Sequence, residues 1–188
     1  MPKLERLEWL APLSEGRGVT LSDDPEADLF LQQNAFALLL GVLTDSQFAT
    51  RRAFAIPYKL RERLGHLDVD RLAVEGDAVQ EAFAQKPALH RFPNKFAALT
   101  RQLAEAVLEC YGGETSLLWD QASDVQNLAS RLMELPSFGV EKTNWTIGML
   151  GCLGMLPFEE WEGYRVKNKP AKAKSKATAR GQGSSSQP

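Results

Sequence analysis

A chain of 188 residues, 44% hydrophobic and 24% charged, has an ordinary globular balance with room for one core. Its two cysteines, Cys110 and Cys152, rule out a disulfide framework or a four-thiolate cluster, and its two histidines, His66 and His90, stand too far apart in the chain to suggest zinc. No apolar run approaches the ~18 residues of a membrane span, and the first residues lack the apolar stretch of a secretory signal, so a cytoplasmic location away from membranes is expected.

Residues 1–20, with Trp9, form an N-terminal extension without a readable pattern. Ser22, Asp23 and Asp24 offer capping side chains ahead of Pro25, whose missing N–H costs nothing at a helix start, and this predicts one helix from Pro25 to about Leu43. Its second half, Ala35 to Leu43, is apolar on every side and belongs in the middle of a domain. Phe48, Ala53, Ile56, Leu60 and Leu64 make the stripe of a second helix with a bend at Pro57. A short helix fits 70–84. Pro93 opens a long helix with Phe92, Phe96, Leu99, Leu103, Val107 and Cys110 in i, i+4, i+7 register, ended by Gly112 and Gly113. Val125, Leu128 and Leu132 mark another helix, closed by Leu135 and Pro136, and one more follows Gly139 to about Leu153. Segments of alternating polarity are almost absent, so the fold class is all-α.

The formal charge of −2 is unevenly divided. Residues 167–188 hold six Lys or Arg and no acid, which leaves a net −8 on residues 1–166. Residues 164–188 therefore read as a basic, disordered tail, able to grip a polyanion or simply to solubilise the chain. The sequence has no Walker-type phosphate loop, no paired-histidine zinc helix and no nucleophile elbow. The informative stretch is Leu132 to Trp145, where a helix ends at Leu135-Pro136, a tight turn carries Phe138 and Gly139, and a second helix begins at once. The free N–H groups at that helix start make a ready phosphate site, and glycine lets backbone come close to a ligand. An ordinary helical hairpin has the same pattern.

Leu135-Pro136-Ser137-Phe138-Gly139 resembles the Leu-Pro-Gly-Val-Gly hairpin of the helix-hairpin-helix (HhH-GPD) glycosylase superfamily, the endonuclease III and adenine-glycosylase group. The segment Leu38 to Gln47 is similar to that family's Leu-Leu-x-x-x-Leu-Ser-x-Gln, and Phe92-Pro93-Asn94-Lys95 to its Asn-x-Lys-Ala helix start. The three motifs keep the family's order over Ala35 to Leu156, and the layout is closest to small bacterial HhH-GPD proteins without an iron–sulfur cluster. The resemblance implies a domain over 21–163 with two helical lobes and the hairpin near 125–153. It also implies double-stranded DNA as partner, a monomer, and no metal or other cofactor.

The activity so implied is base-excision repair, in which a damaged or mispaired base is cut from a flipped nucleotide. Gln47 would fill the vacated stack, while Ser137, Phe138, Gly139, Val140, Lys142 and Lys95 would contact DNA. Trp145 would line the base pocket, with Phe138 and Phe48 as further aromatic candidates. A carboxylate must stabilise positive charge developing on the sugar. Counting from Leu135 without a gap lands on Glu159, and with one inserted hairpin residue on Glu160. Lys142 stands at or one residue beyond the lyase position, as the register decides. Hydrolysis without strand incision is the expected chemistry. Ser137 replaces the first hairpin glycine, and the sequence around Glu159 is not the family's Val-Asp-x-His. A catalytically silent DNA-binding module is therefore the alternative, and a helical interaction domain without nucleic acid is a third reading that suits the acidic body.

Overall fold

The computed structural model describes residues 20–46 and 49–166, and these form helices with no strand among them. The first five are α1 (Pro25–Gln33), α2 (Ala35–Thr44), α3 (Thr50–Leu64), α4 (Val69–Val74) and α5 (Gly76–Ala84). They are followed by α6 (Pro93–Tyr111), α7 (Leu117–Asp120), α8 (Val125–Glu134) and α9 (Val140–Cys152). Among the described residues no helix is long and apolar enough to cross a membrane.

The single helix expected from Pro25 to Leu43 is two. Asp24 starts α1 by accepting from the N–H groups of Glu26 and Ala27. Asn34 then breaks the run with extended backbone, and its side chain accepts the N–H of Ala37 at 2.9 Å. A short amide that competes for backbone N–H groups is better placed at a cap than in mid-helix. The break frees the apolar half as a separate rod in which every residue from Phe36 to Thr44 is buried. This rod packs against α1, α3, α6 and α9. Gly41 lets the Phe54 ring of α3 lie directly on it, where a methyl group would come within 2.6 Å of the ring.

The helix expected over 70–84 is also divided, at Glu75. That carboxylate accepts from Arg71 (2.8 Å) and lies 3.0 Å from the buried His66 ring. The long helix α6 and its left-handed Gly112 match expectation, with Gly112 at φ 60°. Helix α7 was not foreseen; its single turn is tied to α8 by Arg131, which donates to the carbonyls of Leu117 and Gln121.

Beyond α9 the chain turns back along that helix. Trp161 packs over Gly151 so closely that no side chain fits there. Asn144 then holds the returning segment twice, donating to the Val166 carbonyl (3.1 Å) and accepting its N–H (2.8 Å). Tyr164 and Val166 pack on the core, three residues past the expected boundary at 163. The extension before Thr20 and the basic segment from 167 lie outside the described residues.

Candidate nucleic-acid interface

Helix α8 stops because Pro136 disfavours helical backbone at the residue before it, and Leu135 is extended at φ −68°, ψ 147°. The chain then reverses through Ser137, whose φ of 63° is left-handed. Phe138 is only 3% exposed and anchors the turn in the core, its N–H donating to the Leu135 carbonyl at 3.2 Å. Expected at the DNA surface, this ring instead faces inward. Gly139 is exposed and extended at φ −108°, ψ −176°, a conformation open to any residue. The left-handed backbone of this hairpin thus belongs to Ser137. A side chain built on Gly139 would meet nothing within 4 Å, so the turn presents bare, accessible backbone there.

No side chain caps α9. The first-turn N–H groups at Val140, Glu141 and Lys142 have no partner of their own helix, and the positive end of the macrodipole adds to them. Val140 is half-buried, and the exposed Glu141 on the same turn competes with an incoming anion.

Lys142 leaves this turn and reaches α2. Its Nζ donates to the Leu43 carbonyl at 2.8 Å and lies 5.8 Å from the centre of the Phe138 ring. Burial lowers the amine pKa to about 8, with the Asp45 carboxylate opposing and the Lys95 ammonium assisting. Lys95 itself is exposed in the first turn of α6, 5.7 Å from the Phe96 ring. The start of α9, the end of α2 and the start of α6 therefore meet at one place.

The end of α2 is well tied down. Asp45 N–H donates to Gly41 O (3.1 Å), Ser46 N–H to Thr44 O (2.8 Å), and the Asp45 carboxylate accepts from the Thr50 hydroxyl at 3.2 Å. Gln47, the next residue, and Phe48 lie outside the described residues. His90, to which the sequence analysis gave no role, is buried beside this turn. Its position between Pro87 and Pro93 was the signal that could have drawn attention to it. Next to it Phe92 is exposed, with the Arg91 guanidinium 4.7 Å above its ring.

Other expected positions fall elsewhere. Trp145 is a core residue, set edge-on to Phe54 with ring centres 6.3 Å apart, so a base could stack on it only by displacing the core. Glu159 and Glu160 are exposed in the turn that precedes Trp161. Trp161 covers Gly151, which by helical rise is about 13 Å along α9 from Lys142. A carboxylate shielded from water beside the hairpin is thus not formed by either glutamate. Among the described residues no group of three His, Cys, Asp or Glu is placed to hold a metal ion.

No protein-family model, curated protein or solved structure matches the chain.

Proposed function

We propose that the chain is a DNA glycosylase of the helix-hairpin-helix kind, which grips duplex DNA at the α8–α9 hairpin, flips a damaged or mispaired nucleotide and releases its base. The observation that carries this reading is the Lys142 amine. It stands in the first turn of the hairpin's second helix, beside bare backbone at Gly139, with its pKa lowered to about 8. At neutral pH roughly a tenth of such an amine is unprotonated, against well under a hundredth for an ordinary lysine. A neutral amine that donates one N–H to Leu43 O keeps its lone pair. In this reading phosphates sit on the N–H groups of residues 140–142 and on Lys95, and Lys142 supplies the chemistry.

The step is a displacement. The Nζ lone pair attacks the sugar C1′, the glycosidic bond breaks, and the base leaves with the bonding electrons and takes up a proton. Loss of an amine proton and opening of the sugar ring then give an imine to Lys142. This moves the chemistry from water activated by Glu159 or Glu160 to the lysine, because both glutamates are exposed.

The test is a panel of duplexes with defined damaged or mispaired bases, incubated with catalytic amounts of protein, with and without borohydride. Base release should occur for one class, and borohydride should link protein to DNA as a secondary amine. Lys142→Ala should abolish both. Release that survives Lys142→Ala would refute the amine's role. Binding without release from any duplex would favour the second reading, a DNA-binding module without chemistry, which the exposure of Glu159 and Glu160 supports.

A further inference from the structure

The loop that leads into α6 is tied down along its length. Arg63 donates to the carbonyls of Ala82 (2.6 Å), Gln85 (2.8 Å) and Pro87 (2.7 Å), and the Leu89 N–H donates to Phe83 O at 3.0 Å. Leu89 and His90 turn inward, and the His90 ring lies on Phe96 with centres 3.9 Å apart. Phe92, at the end of the same loop, turns outward and leaves its ring 41% exposed. Its backbone is nevertheless fixed. The Phe92 N–H donates to His90 Nδ1 at 3.1 Å, and Pro93 keeps Phe92 out of the helical region at φ −122°, ψ 67°. A single apolar side chain on a surface is ordinary. A ring held out to solvent on an anchored backbone is set to receive something.

Positive charge gathers at the same place. Between Glu81 and Glu105 the chain carries Lys86, Arg91, Lys95 and Arg101 and no acid, although residues 1–166 have a net −8. The Arg91 guanidinium lies 4.7 Å from the centre of the Phe92 ring, and the exposed Lys95 follows in the first turn of α6. Neither of these two cations is in an ion pair among the described residues. An acidic peptide would use the cations and have no need of the ring, and an apolar partner would need a wider patch than one phenyl group. A nucleotide uses both, because its base stacks on an aromatic face or a guanidinium plane and its phosphate takes the charge. A base paired inside a duplex has no free face to offer.

We infer that Phe92, with Arg91 and Lys95, is a stacking site for an unpaired nucleobase. The ring takes the base and the two cations take the phosphate of its strand. The inference rests on the proposed function for the kind of macromolecule bound, and it assigns that macromolecule a contact outside the hairpin.

The experiment uses the full chain and three DNA probes: a paired duplex, the same duplex with one bulged thymine, and the single strand. Wild type is compared by fluorescence anisotropy with Phe92→Ala, Phe92→Leu, which keeps apolar bulk without a ring, and Phe92→Trp, which keeps a ring. All three variants retain the backbone N–H that His90 accepts, so melting temperatures should be unchanged. Wild type should prefer the bulged duplex to the paired one. Phe92→Ala should weaken binding to the bulged duplex roughly five- to 150-fold, the value of one stacked base, and leave the paired duplex unaffected. Phe92→Leu should recover little of the loss and Phe92→Trp most of it. With 5-iodouracil at the bulge, irradiation should link the strand to the peptide that contains Phe92.

Equal binding of bulged and paired duplexes by wild type, or Phe92→Leu as good as wild type, would overturn the inference. DNA binding lost in Gly139→Val but intact in Phe92→Ala would overturn it and leave the base-excision reading in place. Bulge binding through Phe92 without base release from any duplex would support it and count against that reading. Self-association in sedimentation runs that Phe92→Ala abolishes would give the ring to a second copy of the chain and overturn the inference. No binding to any of the three probes would overturn both.

Discussion

Ser137→Gly should stabilise the protein. A non-glycine residue in the left-handed region brings its Cβ too near the following carbonyl, at a cost of about 1–2 kcal/mol. Ser137 sits there at φ 63°, at the exposed tip of the hairpin. Glycine removes that cost but gives back roughly 0.5–1 kcal/mol through the larger backbone entropy of its unfolded chain. The net gain is about 0.5–1 kcal/mol, or ~1–4 °C in melting temperature for a chain of this size. The strain is tolerated because the next residue, Phe138, is buried; sequestering such a ring is worth ~1.5–3 kcal/mol and holds the turn in place. Urea titration and thermal melts of wild type, Ser137→Gly and Ser137→Ala would measure it. Alanine keeps the Cβ and so the strain, and should stay within about 0.5 kcal/mol of wild type. A glycine variant less stable than wild type would mean that the serine side chain, rather than the backbone, matters at this position.

Three further outcomes are expected. Lys142 has its pKa lowered from 10.5 to about 8 in the fold, so between those values the unfolded chain holds a proton that the folded chain has lost. Stability relative to Lys142→Met should therefore rise from pH 8 to pH 10.5 and be level below that window, as urea midpoints at stepped pH would record. A flat difference across the window would contradict a buried amine. Gly139→Val should fold normally, since its backbone is extended and its surroundings open, yet weaken duplex DNA binding by screening the bare backbone; undiminished affinity would remove the hairpin from the DNA surface. Gly151→Ala should cost ~1–3 kcal/mol by forcing Trp161 off α9, with a red shift in tryptophan emission as the indole meets water; an unshifted spectrum would show that Trp161 does not depend on that contact.

The parts of the fold written in local signals were readable beforehand. Pro93, the i, i+4 apolar stripe and the Gly112-Gly113 stop define α6 to within a residue, and the apolar run of α2 correctly implied a central position. The breaks at Asn34 and Glu75 were not readable, because neither a lone Asn nor a lone Glu by itself ends a helix, and both act here through partners. Asn34 caps Ala37, and Glu75 pairs with a histidine nine residues earlier. At the candidate site, the helix–turn–helix around Gly139 was legible from its Pro and Gly, while the inward turn of Phe138 and the core setting of Trp145 depend on packing that no spacing reveals. His90 is the sharpest case: its burial against Phe96 comes from tertiary packing, and nothing local distinguishes it from a surface histidine. The exposure of Glu159 and Glu160 was not readable for a related reason: residue counting measures distance along the chain, and here the chain doubles back over α9.

An acidic body is an awkward partner for DNA, and the structure indicates how the proposed function could accommodate it. Residues 1–166 carry a net −8, so long-range attraction cannot come from the body as a whole. Under the proposed function the hairpin would rely at short range on backbone N–H groups, which contribute partial positive charge whatever the side-chain balance, and sequence motifs alone would not show that Gly139 leaves them uncovered. Lys95 and Lys142 add charge locally, but Lys142 is already engaged with Leu43 and is neutral part of the time. A further six cations follow Val166 in the chain, without an acid among them. Asn144 pins Val166, the last described residue, to the second turn of α9, beside the hairpin. Acidic repulsion over most of the surface and attraction concentrated at one end would then orient a duplex toward the hairpin before any specific contact forms. This separation of roles, tail for encounter and hairpin for seating, distinguishes the DNA-binding reading from that of an acidic helical interaction domain, which would have no use for bare helix-start backbone next to a basic segment.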